Sequence, residues 1–194
     1  MSAPELRVHE HLLSYSGKLG SRTTSDVSLV VIHCTELPDL AMAREYAETI
    51  RYSASGTGNS GHFYIDRDGR VEEWVPVNRV AHHVRDHNLH TIGIELVNLG
   101  RYPNWFDSSH QEMTESYPRV QIDALVDLIL LLSQKLPALR FITGHERLDI
   151  EQVRASDNPD ALVYRKRDPG PLFPWLQVLH DIPLQPLPDG ATIR

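Results

Sequence analysis

Two histidines stand where short apolar runs end. Leu29-Val30-Val31-Ile32 leads into His33, Cys34 and Thr35, and Leu139-Arg140-Phe141-Ile142-Thr143-Gly144 leads into His145. The first run is four apolar residues, three of them β-branched. It is too short for a buried helix and reads as an interior strand with covered faces. In open α/β sheets the carboxyl ends of such strands are where ligands sit. A carboxylate, Asp168, lies in Asp168-Pro169-Gly170-Pro171, whose prolines stiffen its backbone. Two imidazoles and a carboxylate form the donor set of a catalytic zinc, which keeps a fourth position open and brings a water's pKa to about 7. Asp149, four residues after His145, has the spacing of two groups on one helical face and is the rival third donor. Amide hydrolysis needs two further parts, a group that moves a proton and a cation facing the oxyanion. Glu95, alone in the apolar run Thr91-Ile92-Gly93-Ile94-Glu95-Leu96-Val97-Asn98, suits the first, and Lys166 suits the second. Cys34 adjoins His33, but in a strand its side chain points to the opposite face, so a buried thiol is expected.

The elements that must position these groups alternate along the chain. Pro38 and Asp39 open a helix with Leu40, Ala43, Ala47 and Ile50 at helical spacing. The glycine-rich loop 56–61 lacks the lysine of a phosphate-binding loop, so no nucleotide is implied. His62-Phe63-Tyr64-Ile65 and Val71-Glu72-Glu73-Trp74-Val75 flank Arg67-Asp68-Gly69-Arg70, a hairpin signal. His62, inside a strand, reads as structural or groove-lining. Residues 78–90 form a loop holding His82, His83, His87 and His90, of which all but His83 are expected in solvent, like His110. Residues 99–117 form a long aromatic-bearing loop, a length that in compact domains signals function. A helix opens near Pro118, buries Ile122, Leu125, Val126, Ile129, Leu132 and Leu136, and ends at Pro137. Residues 146–165 read as a surface loop, Leu172–Leu176 as a short closing helix, and the tail from Pro183 as irregular. The expected organisation is an arm or short strand over 1–27 packed on the domain, one domain over 28–179 and a tail over 180–194.

The chain has 194 residues and a formal net charge of -7, which argues against a non-specific nucleic-acid binder. No stretch approaches the roughly 20 apolar residues of a membrane span. The first residues show no basic region followed by an apolar one, and the single cysteine excludes an internal disulfide framework. Both features favour the cytoplasm, with a periplasmic or exported setting if a signal peptide has been lost. Oligomeric state is not legible.

Taken in order, these motifs resemble one family. They are Val31-Ile32-His33-Cys34-Thr35, Gly61-His62-Phe63-Tyr64-Ile65 with Arg67-Asp68-Gly69, Ala81-His82-His83 and Asn88. Ile92-Gly93-Ile94-Glu95, Thr143-Gly144-His145 and Lys166-Arg167-Asp168-Pro169-Gly170-Pro171 complete the set. The resemblance, over about 28–179, is to the zinc-dependent N-acetylmuramoyl-L-alanine amidases of the type-2 amidase and peptidoglycan-recognition fold, including the anhydromuropeptide amidases of cell-wall recycling. It implies an α/β fold, a single domain with an open mixed sheet of about five or six strands flanked by helices. It implies one zinc on His33, His145 and Asp168, Glu95 as general acid/base, and Lys166 steadying the transition state. His83 and Asn88 would contact a muropeptide or peptidoglycan fragment, and Thr35 would support the ligands from behind. The chain departs from the pattern in three places. Val163-Tyr164 stands where relatives often have Pro-Gly, extra residues follow His145, and Gly61 stands where the phage-lysozyme branch has a tyrosine. A non-catalytic peptidoglycan-binding module and a zinc hydrolase of another acyl-amide are the competing readings.

Overall fold

The computed structural model of the chain describes residues 6–191. Nine strands occur in order: β1 (Val8–Glu10), β2 (Leu29–Cys34), β3 (Phe63–Ile65), β4 (Val71–Glu73), β5 (Thr91–Leu96), β6 (Phe141–Gly144), β7 (Gln152–Arg154), β8 (Leu162–Tyr164) and β9 (Gln185–Pro186). Four α-helices accompany them: α1 (Leu40–Glu48), α2 (Arg119–Lys135), α3 (His145–Leu148) and α4 (Trp175–Asp181). Seven strands form one sheet in the order β1-β4-β3-β5-β2-β6-β9, and β7-β8 form a separate antiparallel pair. Within the large sheet only β3 and β4 run antiparallel, across the turn marked by Asp68-Gly69.

The sheet is therefore larger than the five or six strands expected. The two additional edges are the reason. β1 is Val-His-Glu and β9 is Gln-Pro, runs too short and too polar to carry an alternating pattern. Short edge strands of this kind also offer little backbone to a foreign strand. The segments expected as an arm and a tail thus each supply a sheet edge, and their outermost residues, 1–5 and 192–194, lie outside the described residues. The segment 146–165 is likewise not a plain loop, since it holds most of α3 and the β7-β8 hairpin, in which Val153 pairs with Val163.

β2 is buried along its whole length, as its covered faces require. One face of the sheet packs Val30, Ile32, Ile92, Ile94 and Leu96 against α2 and against Val178 of α4. The α2 stripe includes Leu128, fully buried and not among the residues expected there. On the other face, Leu40, Ala43 and Ala47 of α1 pack with Leu37, Tyr64, Trp74 and Val97. Asp39 caps α1 by accepting from the Met42 amide at 2.8 Å. Ile50 falls beyond the end of α1 and is half exposed, so the helical spacing stops one turn earlier than expected.

Candidate metal centre and its cleft

Register brings the chemistry together. In the parallel ladders His33 of β2 pairs with Glu95 of β5, and Ile32 pairs with Gly144 of β6. His145, one residue past Gly144, therefore emerges beside His33 at the same carboxyl edge. Asp168 arrives from a loop held by three contacts. The Glu146 amide donates to its carbonyl at 3.0 Å, the Gly170 amide donates to Glu146 Oε2 at 3.2 Å, and Tyr117 Oη donates to the Pro169 carbonyl at 2.7 Å.

His33, His145 and Asp168 are each about 2% exposed, and one donor atom from each lies within 4.8 Å of the others. Nδ1 of His33 and Nδ1 of His145 both lie 3.0 Å from Asp168 Oδ2. Donors about 2.0–2.1 Å from a tetrahedral zinc are separated by roughly 3.3 Å, so three atoms this close fit one ion. The other Asp168 oxygen, Oδ1, is buried without a partner among the described residues, as is His145 Nε2. A buried carboxylate left short of partners is costly in a folded protein and is relieved by a cation. Burial and the neighbouring His145 hold the His33 imidazole down to about 4, whereas, despite burial, the adjacent His145 and His33 rings hold the Asp168 carboxyl well below its usual range. A neutral imidazole at His33 beside an ionised carboxylate is the state a metal requires. The cluster can hold a metal ion.

Glu95 Oε1 lies 3.9 Å from His33 Nδ1, with 15% of its side chain exposed. Burial, then the Asp168 charge, pushes its carboxyl up to about 8, and Lys166 opposes that rise. A carboxyl titrating near neutrality at the mouth of a donor cluster is suited to proton transfer. Its room comes from Gly61, where a Cβ would stand 2.8 Å from Glu95 Cγ. A side chain at 61 would force Glu95 to shift.

A cleft of about 670 Å³ opens over the cluster, lined by Glu95, Lys166, His83, Asn88 and Thr35 among others. Asn88 Oδ1 accepts from the amides of His83 and Val84 at 3.0 and 2.8 Å, which shapes the loop carrying His83. Thr35 Oγ1 is bonded to the backbone of Asn98 rather than to a ligand side chain. Asp149 lies apart from the donor set, and its carboxylate pairs with Arg165. His62 is fully buried behind His83 and accepts from the Gly93 amide. His82 also lines the cleft, and its Nδ1 is buried, unlike the solvated side chain expected.

Two arginines that frame the site carried no signal in the sequence. Arg22 is 8% exposed, and its Nη1 donates to the carbonyls of Asn88, Leu89 and Thr91, clamping the His83 loop to β5. Arg101 is 1% exposed and pairs bidentately with Glu36 at 2.7 and 2.9 Å, tying the 99–117 segment to the end of β2. Nothing local distinguishes either from a surface arginine, because these carbonyls and this carboxylate lie more than sixty residues away.

The model of a family described as N-acetylmuramoyl-L-alanine amidase matches residues 23–171. No curated relative matches the chain by sequence. Among solved structures, a selenomethionine derivative of AmpD is 23% identical with a TM-score of 0.65, covering 94% of this chain and 99% of that one. AmiD from E. coli, in complex with the substrate anhydro-N-acetylmuramic acid-L-Ala-D-gamma-Glu-L-Lys, is 22% identical with a TM-score of 0.61, over 80% of this chain and 57% of that one. The bumblebee protein PGRP-SA is 18% identical with a TM-score of 0.59, over 94% and 99%. These three likenesses are of fold.

Proposed function

The chain belongs to the N-acetylmuramoyl-L-alanine amidase family, and from that premise we propose that it uses one zinc ion to hydrolyse the amide between the lactyl group of N-acetylmuramic acid and L-alanine in muropeptides. The observation that carries this reading is the convergence of His33, His145 and Asp168 in one buried cluster, with Glu95 3.9 Å from His33 at the same cleft.

His33, His145 and Asp168 would hold the ion. Zinc bound there would polarise the scissile carbonyl and lower the pKa of a water toward 7. Glu95 takes the proton of the attacking water and returns it to the departing L-alanine nitrogen. Lys166, the positive group of this cleft nearest in sequence to Asp168, faces the oxyanion as charge develops. His83 and Asn88 form a wall against which the muropeptide lies. With its Oδ1 committed to two amides, Asn88 offers the substrate its Nδ2 as a donor. The substrate bound to the structurally similar AmiD is an anhydromuramoyl peptide, which supports a muropeptide as the ligand class. Soluble anhydromuropeptides in the cytoplasm are the substrates we favour over the polymeric wall. Among the described residues no helix is long and apolar enough to cross a membrane.

The test is mass-spectrometric product analysis of zinc-loaded protein offered anhydromuropeptide and intact sacculi in parallel, with a chelated control. Free stem peptide released from the soluble substrate, and lost on chelation, is the expected outcome. Binding without cleavage of either substrate would overturn the amidase reading in favour of a peptidoglycan-recognition module.

A further inference from the structure

The hydrogen bonds behind His33 run in one direction only. Thr91 Oγ1 lies 3.0 Å from the His87 carbonyl and 3.0 Å from His83 Nε2. A carbonyl only accepts, so the single hydroxyl proton goes to His87, and the Thr91 oxygen must accept from His83 Nε2–H. In a neutral imidazole that leaves His83 Nδ1 bare. His83 Nδ1 lies 2.9 Å from His33 Nε2, so it accepts from His33 Nε2–H. The proton of His33 is thereby placed on Nε2, and its Nδ1 lone pair faces Asp168 Oδ2. Reversing the order would set two lone pairs 3.0 Å apart at Thr91 with nothing to relieve them, whereas the His33 Nδ1 lone pair and Asp168 Oδ2 would be bridged by the ion they hold.

The chain is built for this contact. The His83 ring lies flat against β5 at Gly93, where a Cβ would stand 2.6 Å from both Cγ and Nδ1 of the ring. The rings of His33 and His83 meet edge-on with centroids 5.1 Å apart. His145 has no such support, since its Nε2 lacks a partner among the described residues.

We propose that His83 and Thr91 are positioning residues that lock His33 in its Nε2–H tautomer, presenting Nδ1 as a preformed zinc donor. The inference rests on the zinc reading above and adds to it a defined role for two residues outside the donor set. Groups that orient a ligating histidine typically contribute 10–100-fold to metal affinity. Both ring nitrogens of His83 are occupied in this arrangement, so any contact it makes with a muropeptide uses the carbon edge or face of the ring.

Zinc affinity, measured by competition with a chromophoric chelator on the full chain, tests the role without reference to turnover. His83→Phe, which keeps a ring and removes both nitrogens, is expected to bind zinc about 10–100-fold more weakly. Thr91→Val is expected to weaken binding in the same direction, and Thr91→Ser, which restores the hydroxyl, to recover it. A purely packing role for the fully buried Thr91 would give the opposite order, because valine preserves its shape and serine does not. Long-range proton–nitrogen correlation spectra of the zinc-loaded chain should show both His33 and His83 protonated at Nε2. A His83 protonated at Nδ1, or Thr91→Val and His83→Phe proteins that bind zinc as the parent does, would overturn the proposal while leaving the amidase reading intact. A parent chain that binds no zinc would overturn both.

Discussion

The floor of the cleft and its wall are built by different physics. The floor is the carboxyl edge of β2, β5 and β6, where continuous backbone ladders and apolar side chains fix His33, Glu95 and His145 in register. The wall is backed by the 99–117 segment and the β7-β8 hairpin, which stand outside the cleft lining and meet it at Glu36 and Arg165, and neither of which buries an extensive apolar face. Polar contacts hold it instead. Arg101 binds Glu36 and the Tyr164 carbonyl, the Trp105 indole donates to the Glu36 carbonyl at 3.1 Å, and Ser108 donates to Asp157 at 2.6 Å. Phe106, Leu162 and Tyr164 remain exposed on it. A floor of this kind fixes reacting atoms, whereas such a wall can vary in shape without disturbing them.

The largest effect is expected at the floor. Glu95→Gln should keep zinc and fold but lose about 10²–10⁴-fold in kcat, the usual contribution of a positioned acid/base. Steady-state kinetics beside metal analysis checks this, and full activity with zinc bound would remove Glu95 from the mechanism.

At the wall, Arg101→Met strands Glu36 in a site where it is 7% exposed. Removing one partner of a buried pair typically costs about 3–5 kcal/mol. Urea unfolding should show that loss, and the double variant with Glu36→Gln should recover part of it. Zinc affinity, set by the floor, should stay near that of the parent while KM rises.

The metal-free floor also has a pH signature. The Glu95 carboxyl is raised in the fold from 4.5 to about 8, so its contribution to stability is complete below about 4.5 and is lost as pH rises through about 8. The His33 imidazole is lowered from 6.5 to about 4, so its contribution is complete above about 6.5 and is lost as pH falls toward 4. Between about 6.5 and 8 the Glu95 slope stands clear of the His33 one. Metal-free protein should lose stability across that window, and Glu95→Gln should flatten the decline in a series of denaturant titrations.

The smallest effect is expected at the exposed contact between the 99–117 segment and the loop before β8, outside the cleft lining. Asp157→Ala removes exposed contacts with Ser108 alone. The melting temperature and kcat should be unchanged, with at most a slight rise in KM, because exposed polar pairs contribute little.

Much of the floor could be read from the chain. Apolar runs ending in His33 and His145, and a lone Glu95 inside another run, are local patterns, and strand formation carries their side chains to one edge. The hairpin at Asp68-Gly69 and the stripe of α2 are equally local, since turn geometry and helical periodicity act over a few residues. The place of β1 at a sheet edge and the existence of β9 were not legible, because strands of two or three residues owe their existence to the neighbour they pair with. The β7-β8 hairpin was hidden for the same reason, its only buried strand positions being Val153, partly, and Val163.

By itself, the sequence determined the order of the core strands along the chain, the donor types and the family to which they belong. Tertiary structure drew Asp168, the carboxylate that its Pro-Gly-Pro frame and the family pattern favoured, into the cluster and set Asp149 on Arg165. It also decided that Gly61 and Gly93 are clearances for Glu95 and for the His83 ring, and that Arg22 and Arg101 are buried clamps. These facts depend on groups tens of residues apart meeting within a few ångströms, and no local pattern of residue types encodes such a distance.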